Sequence, residues 1–189
     1  SDNPYQINIA NYYNENNSFI SGFTFFSQFI YAKVILLFGD NFIVLKLLNS
    51  VILLFTAFVP FFLLRDYIKP KLYIFYASIA IVFFVPFSRL SIGWDAVSDF
   101  FIIVSVCFLI KWLFKNKLYY LLLLSVSLTF AIFSKITNIL FLPFFILFYL
   151  FYFKIIQKKV KFSHLILFFL SFLIFFNLLL FLFFDKPAT

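Results

Sequence analysis

Charge is what this sequence has least of. Only 12% of the 189 residues are charged, against 65% that are hydrophobic. A soluble domain of this length has no interior large enough to hide so much apolar surface. Acids are scarcer still, seven against fifteen Lys and Arg, for a net charge of +8. One cysteine, Cys107, lies within an apolar run, which excludes a disulfide framework and a cysteine-based metal cluster. One histidine, His164, leaves no His-rich metal site and no His-driven nucleophile, and it reads as a residue flanking the last apolar run. With three glycines and no Gly-rich loop there is no phosphate cradle of the P-loop kind, and no Ser-His-Asp set is present. Methionine is missing altogether, even at position 1, so the chain reads as a piece of a longer protein, beginning after an omitted start and ahead of a missing C-terminal half. No leader peptide can be sought in such a piece.

What is present in abundance is long apolar runs separated by short basic punctuation. The spacing predicts an all-α polytopic transmembrane bundle of about six spans, at 42–64, 72–88, 97–114, 118–134, 136–153 and 162–184. A 23-residue helix is about 34 Å long and crosses a bilayer with some tilt. The run at 118–133 is short for a span, and the turn at Ser134-Lys135 demands a tight hairpin. Alternating ten-residue segments, the mark of a membrane β-barrel, do not occur. Residues 1–41 read as an extracytoplasmic loop with interfacial helices. SFISGFTFFSQFIYAKVILLFGD, at 18–40, is apolar enough to touch lipid, but Ser21, Gly22, Thr24, Ser27, Gln28 and Lys33 interrupt it. Residues 42–184 form the transmembrane domain, and 185–189 begin a further extracytoplasmic segment. The 36 phenylalanines are expected to face lipid or pack between helices rather than form an aromatic box.

The basic residues orient the chain and are not a nucleic-acid footprint. With Arg65 cytoplasmic, the inner loops hold Arg65, Lys69, Lys71, Lys111, Lys115, Lys117, Lys154, Lys158, Lys159 and Lys161, ten of the fifteen. Asp66 is then the one acid inside, and Asp2, Arg89, Asp95, Asp99 and Lys135 share the extracytoplasmic face.

Those residues carry a resemblance. Asp2 with Tyr5, then LLFGDNFIVLKLLNSVILLFTAFVPFFLLRDY, SRLSIGWDAVSDFF and FAIFSKITNILFLPFF, in that order, resemble the GT-C membrane glycosyltransferases, with protein O-mannosyltransferases and lipid A aminoarabinose transferases nearest. The resemblance implies transfer of a sugar from a polyprenyl-phosphate donor to a lipid, protein or glycan acceptor outside the cytoplasm. It also implies an integral, multi-pass protein of the bacterial inner membrane. Asp2 and Asp99 match the two catalytic aspartates of the family, and Tyr5, Arg89, Asp95 and Lys135 become substrate-binding candidates. Asn3 departs from the pattern, because many relatives carry Glu there. No cofactor is implied beyond the divalent cation that some members use, and one or two carboxylates do not establish a metal site.

The chemistry suits these residue types. A phosphate leaves without much acid help, so the site needs a base for the acceptor proton and positive charge for the phosphate. Arginine holds phosphate oxygens by paired bonds, and lysine acts as a point charge. Each residue also has a plainer reading. Asp2 reads as a solvated acid, Asp99 as a helix N-cap, and Asp95 as a neighbour of Asp99 on the same helix face. Arg89 reads as a headgroup anchor. Lys135, basic on the outer side with almost no loop around it, has to find water or an anion. Two other readings stand beside the transferase. A transporter or channel would show charges within its spans and repeated halves, but only Lys46 and Asn49 intrude strongly on the first clear span. In a non-catalytic scaffold the same polar residues merely cap and anchor.

Overall fold

A computed structural model describes residues 3–16, 25–67, 69, 71–76, 95–155 and 162–184. Among them every regular element is helical. The order is α1 (Asn3–Asn16), α2 (Phe25–Phe38), α3 (Phe42–Leu64), α4 (Asp95–Lys115), α5 (Leu118–Ser134), a 3₁₀ turn (Ile136–Leu140), α6 (Phe141–Ile155) and α7 (Phe162–Phe184), with one helical turn at 71–76 between α3 and α4. Three helices are long and apolar enough to cross a membrane: Phe42–Leu64, Asp95–Lys115 and Phe162–Leu182. The chain is therefore membrane-embedded through at least these segments. Leu118–Ser134 and Ile136–Phe148 are apolar but shorter. Most of the predicted span at 72–88, and the segment 185–189, lie outside the described residues.

The short α5 is the centre of the bundle. Eleven of its seventeen residues are buried, and it packs on α4, α7 and α2. Leu121, Leu124, Leu128 and Ile132 meet Leu109 and Trp112 of α4, Phe145 of α6, and Phe168 and Phe172 of α7. A helix surrounded this way needs less length than one that faces lipid alone. The interior also carries hydroxyls, which donate to carbonyls one turn back or across helices, as membrane helices require. Ser105 donates to Ser127 at 2.9 Å, and Ser125 and Ser171 share a bond of 2.7 Å. The phenylalanines divide as expected. Phe145, Phe168 and Phe172 are core, whereas Phe55, Phe62, Phe151 and Phe181 are exposed on the apolar outer surface. His164, near the start of α7, is buried with its ring 5.7 Å from that of Trp112.

Local chemistry fixes the turns. Gly39 ends α2 at φ +76°, a left-handed conformation that favours glycine, and its N–H bonds the Ile35 carbonyl at 2.8 Å. Asn41 then caps α3, its side-chain oxygen accepting from the Ile43 N–H at 2.9 Å. At the far end of α4, Asn116 turns the chain at φ +53° and Lys117 leads directly into α5.

α1 and α2 lie together against one end of the bundle. Ala10 and Tyr13 of α1 pack on Tyr31, Ala32 and Ile35 of α2 and on Leu45 of α3. Asn14 donates to the Ala32 carbonyl at 2.8 Å. Leu36, Leu37 and Phe38, at the end of α2, stay exposed. α3, α4 and α5 run down, down and up, so the α3 and α4 starts and the α5 end meet at the end that carries α2.

Candidate functional site

At that end four elements converge. α5 stops at Ser134 because Lys135 takes an extended backbone (φ −157°, ψ 111°), and the chain continues as the 3₁₀ turn. Asn138 in that turn donates to Ser98 Oγ of α4 at 2.6 Å and to the Ala131 carbonyl at 2.8 Å. One amide thus clamps the turn to two helices. Ser27 of α2 donates to the Ser134 carbonyl at 3.3 Å, so α2 is fastened over the same break.

The break presents Lys135 to a carboxylate. Its Nζ donates to Asp95 Oδ1 at 2.5 Å, across 40 positions of sequence. Asp95 opens α4, where a negative charge is favoured by the helix dipole. The two side chains remain 42% and 40% exposed, so the pair is reachable from outside the bundle. Beside it, the Tyr31 hydroxyl donates to Asn49 Oδ1 of α3, both residues being fully buried. Burial raises the Tyr31 phenol well above its ordinary value, and the negative charge of Asp95 pushes the same way. A cavity of about 180 Å³ opens between α2, α3 and α4, lined in part by Ile30, next to Tyr31 in sequence, and by Val97, two residues past Asp95. Its lining is wholly apolar: Ile30, Ile52, Phe55, Val97, Phe100 and Phe101.

Of the residues singled out in the sequence, Asp95, Asp99 and Lys135 fall on this end together. Asp99 is half-buried one helical turn from Asp95, on the same face of α4. It does not cap the helix as its plainer reading had it. α4 already includes Asp95, so Asp95 occupies the first turn and Asp99 the second. Asp2 and Arg89 lie outside the described residues. Tyr5 lies on α1, and its side chain is likewise outside them. Tyr31 and Asn138 were not singled out by sequence reasoning. The available signal was faint, a tyrosine in the middle of one apolar helix and an amide just past the end of another. Among the described residues no group of three His, Cys, Asp or Glu gathers to hold a metal ion.

What the fold and this end define is a helical membrane protein with a part-exposed charged pair at one end of its bundle and an apolar cavity among the helices that lead to it. No protein-family model matches the chain, and neither does any curated protein or solved structure.

Proposed function

We propose that this chain is part of a membrane glycosyltransferase that moves a sugar from a polyprenyl-phosphate donor to an acceptor hydroxyl or amine on the extracytoplasmic side of a bacterial inner membrane. The observation that carries the reading is the Lys135–Asp95 pair, an ammonium held at a helix break by one part-exposed carboxylate, at the start of a helix whose next residues, Val97, Phe100 and Phe101, line an apolar cavity. A lipid phosphate arriving there offers Lys135 a second anion, and the cavity offers its hydrocarbon a dry wall.

The reaction asks little else of the protein. The acceptor oxygen or nitrogen attacks the anomeric carbon, the bond from that carbon to the phosphate oxygen breaks, and the phosphate leaves on its lipid. The acceptor proton passes to a carboxylate. In this reading Asp2 and Asp99 are the carboxylates of the reacting centre, with Tyr5, Arg89, Asp95 and Lys135 holding substrate. About six spans, with Arg65 and the Lys111–Lys117 turn cytoplasmic, put these residues on the outer face.

The test is sugar transfer by the full-length protein in membranes, with a polyprenyl-phosphate sugar as donor. Asp99→Asn, which keeps the shape and removes the base, is expected to lower turnover by about 10²-fold or more. Lys135→Gln is expected to raise the donor KM, with a smaller effect on turnover. Full transfer by both variants sinks the assignment and leaves a scaffold in its place.

A further inference from the structure

The opposite end of the bundle has a construction of its own, and we infer that it binds the headgroup of an anionic phospholipid. Here α3 ends, α4 ends and α5 begins. Tyr67, just past α3, and Tyr120, in the first turn of α5, bring their hydroxyls to 3.3 Å. Lys111 sits 5.8 Å from the Tyr67 ring centre and 5.6 Å from that of Tyr120. Lys115 lies 5.0 Å over Tyr67, and Lys117 lies 6.0 Å over Tyr119, whose ring centre is 4.0 Å from that of Tyr120.

Three ammonium groups are thus gathered on tyrosine faces rather than on carboxylates. Asp66 is the acid at this end among the described residues, and it lies 3.9 Å from Arg65. A cation held over a ring keeps its hydrogen-bond donors available to an anion. The hydroxyls tie the cluster together, since Tyr120 bonds both Tyr67 and Tyr119 and Lys115 bonds Tyr67. Tyrosine rings at the ends of apolar helices belong at headgroup depth, and clustered lysines there attract anionic lipid. A phospholipid phosphate meets the three lysines while its acyl chains run along the exposed apolar faces of α3 and α5. A soluble anion gains nothing from those faces.

Plain end-wide charge, which only orients the chain, predicts something different from a built site. Full-length protein in detergent is titrated with phosphatidylglycerol or phosphatidylcholine of the same acyl chains, and bound lipid is counted by native mass spectrometry. The expected result is one phosphatidylglycerol held at least about fivefold tighter than phosphatidylcholine. Lys111→Gln with Lys115→Gln should weaken it by roughly 25-fold, about fivefold for each lysine. Lys69→Gln with Lys71→Gln removes the same charge from the same end outside the cluster and should weaken it by less than about twofold. Tyr67→Phe alters no charge and keeps the ring, so a loss there reports the hydroxyl that joins Lys115 to Tyr120 within the cluster. It also serves as the deciding variant if the double lysine variant does not fold. Equal retention of the two lipids overturns the inference. So do equal losses for the two lysine pairs, an unchanged affinity in Tyr67→Phe, or displacement of the lipid by inorganic phosphate.

Discussion

Tyr31 shows how much one hydroxyl can carry in an apolar protein. Its bond to Asn49 ties α2 to α3 inside a region where neither polar group meets solvent. Tyr31→Phe removes the donor and leaves the amide short of it, which is expected to cost about 1–2 kcal/mol. Equilibrium unfolding in mixed detergent reads that loss directly. The pH dependence has a definite sign. Because burial raises the Tyr31 phenol above its ordinary 10.0 in the folded state, its stabilising contribution is whole below pH 10. Above that, the unfolded chain gains by ionising and stability falls. Unfolding midpoints measured from pH 8 to 11 should drop less steeply in Tyr31→Phe than in the unaltered protein. The Asp95–Lys135 pair behaves otherwise. With both side chains about two-fifths exposed, Asp95→Asn should cost at most ~1 kcal/mol in the same unfolding assay. A loss of several kcal/mol would mark the pair as a structural staple rather than a reachable site.

Among the elements, α5 bears the most. Leu128 is fully buried amid the α4, α6 and α7 contacts, so Leu128→Ala leaves a cavity no neighbour can fill and should cost about 2–5 kcal/mol. The hydroxyls joining α5 to α7 are a smaller matter. Ser125 also bonds the Leu121 carbonyl one turn back, so losing Ser171 does not strand it. A double-mutant cycle on Ser125→Ala and Ser171→Ala is expected to give a coupling of about 0.6 kcal/mol, the usual size for such pairs between membrane helices. A coupling above about 2 kcal/mol would show a network tighter than these contacts imply. By contrast α7 turns Ile166, Leu170, Leu173 and Ile174 outward, where conservative apolar exchanges should pass unnoticed.

At the scale of the whole molecule the two ends differ in kind. One carries α1, α2 and the Asp95–Lys135 pair, and the other carries the lysine–tyrosine cluster. The positive-inside rule then makes a prediction about sidedness. Single-cysteine reporters suit this chain, since the one native thiol, Cys107, is buried. In intact cells a membrane-impermeant maleimide should label Asp40→Cys and spare Lys69→Cys and Lys117→Cys, all three positions being exposed. Permeabilised cells should label all three. The reverse pattern would move the proposed site to the cytoplasm and remove the basis for an extracytoplasmic transferase.

Composition and run length alone determined the helical, membrane-embedded character, because no other arrangement satisfies so much apolar backbone in lipid. The bounds of α3 and α5 were equally legible, at 42–64 and 118–134, since Asn41, Arg65, Lys117 and Lys135 punctuate them. The gathering of Asp95, Asp99 and Lys135 at one end followed from counting turns. Other features belong to the tertiary structure. The start of α4 at Asp95 instead of near Val97 was not visible, because Asp, Ala and Val suit a loop or a first turn equally well. Nor could the sequence show that α5, short for a lone span, sits inside the bundle, since burial depends on neighbours far along the chain. The pairing of Lys135 with Asp95, and the bonds from Asn138 to Ser98 and from Tyr31 to Asn49, join residues 18 to 40 positions apart. Hydropathy reports how much a residue avoids water, not which partner it meets, and only the packing of the helices decides that.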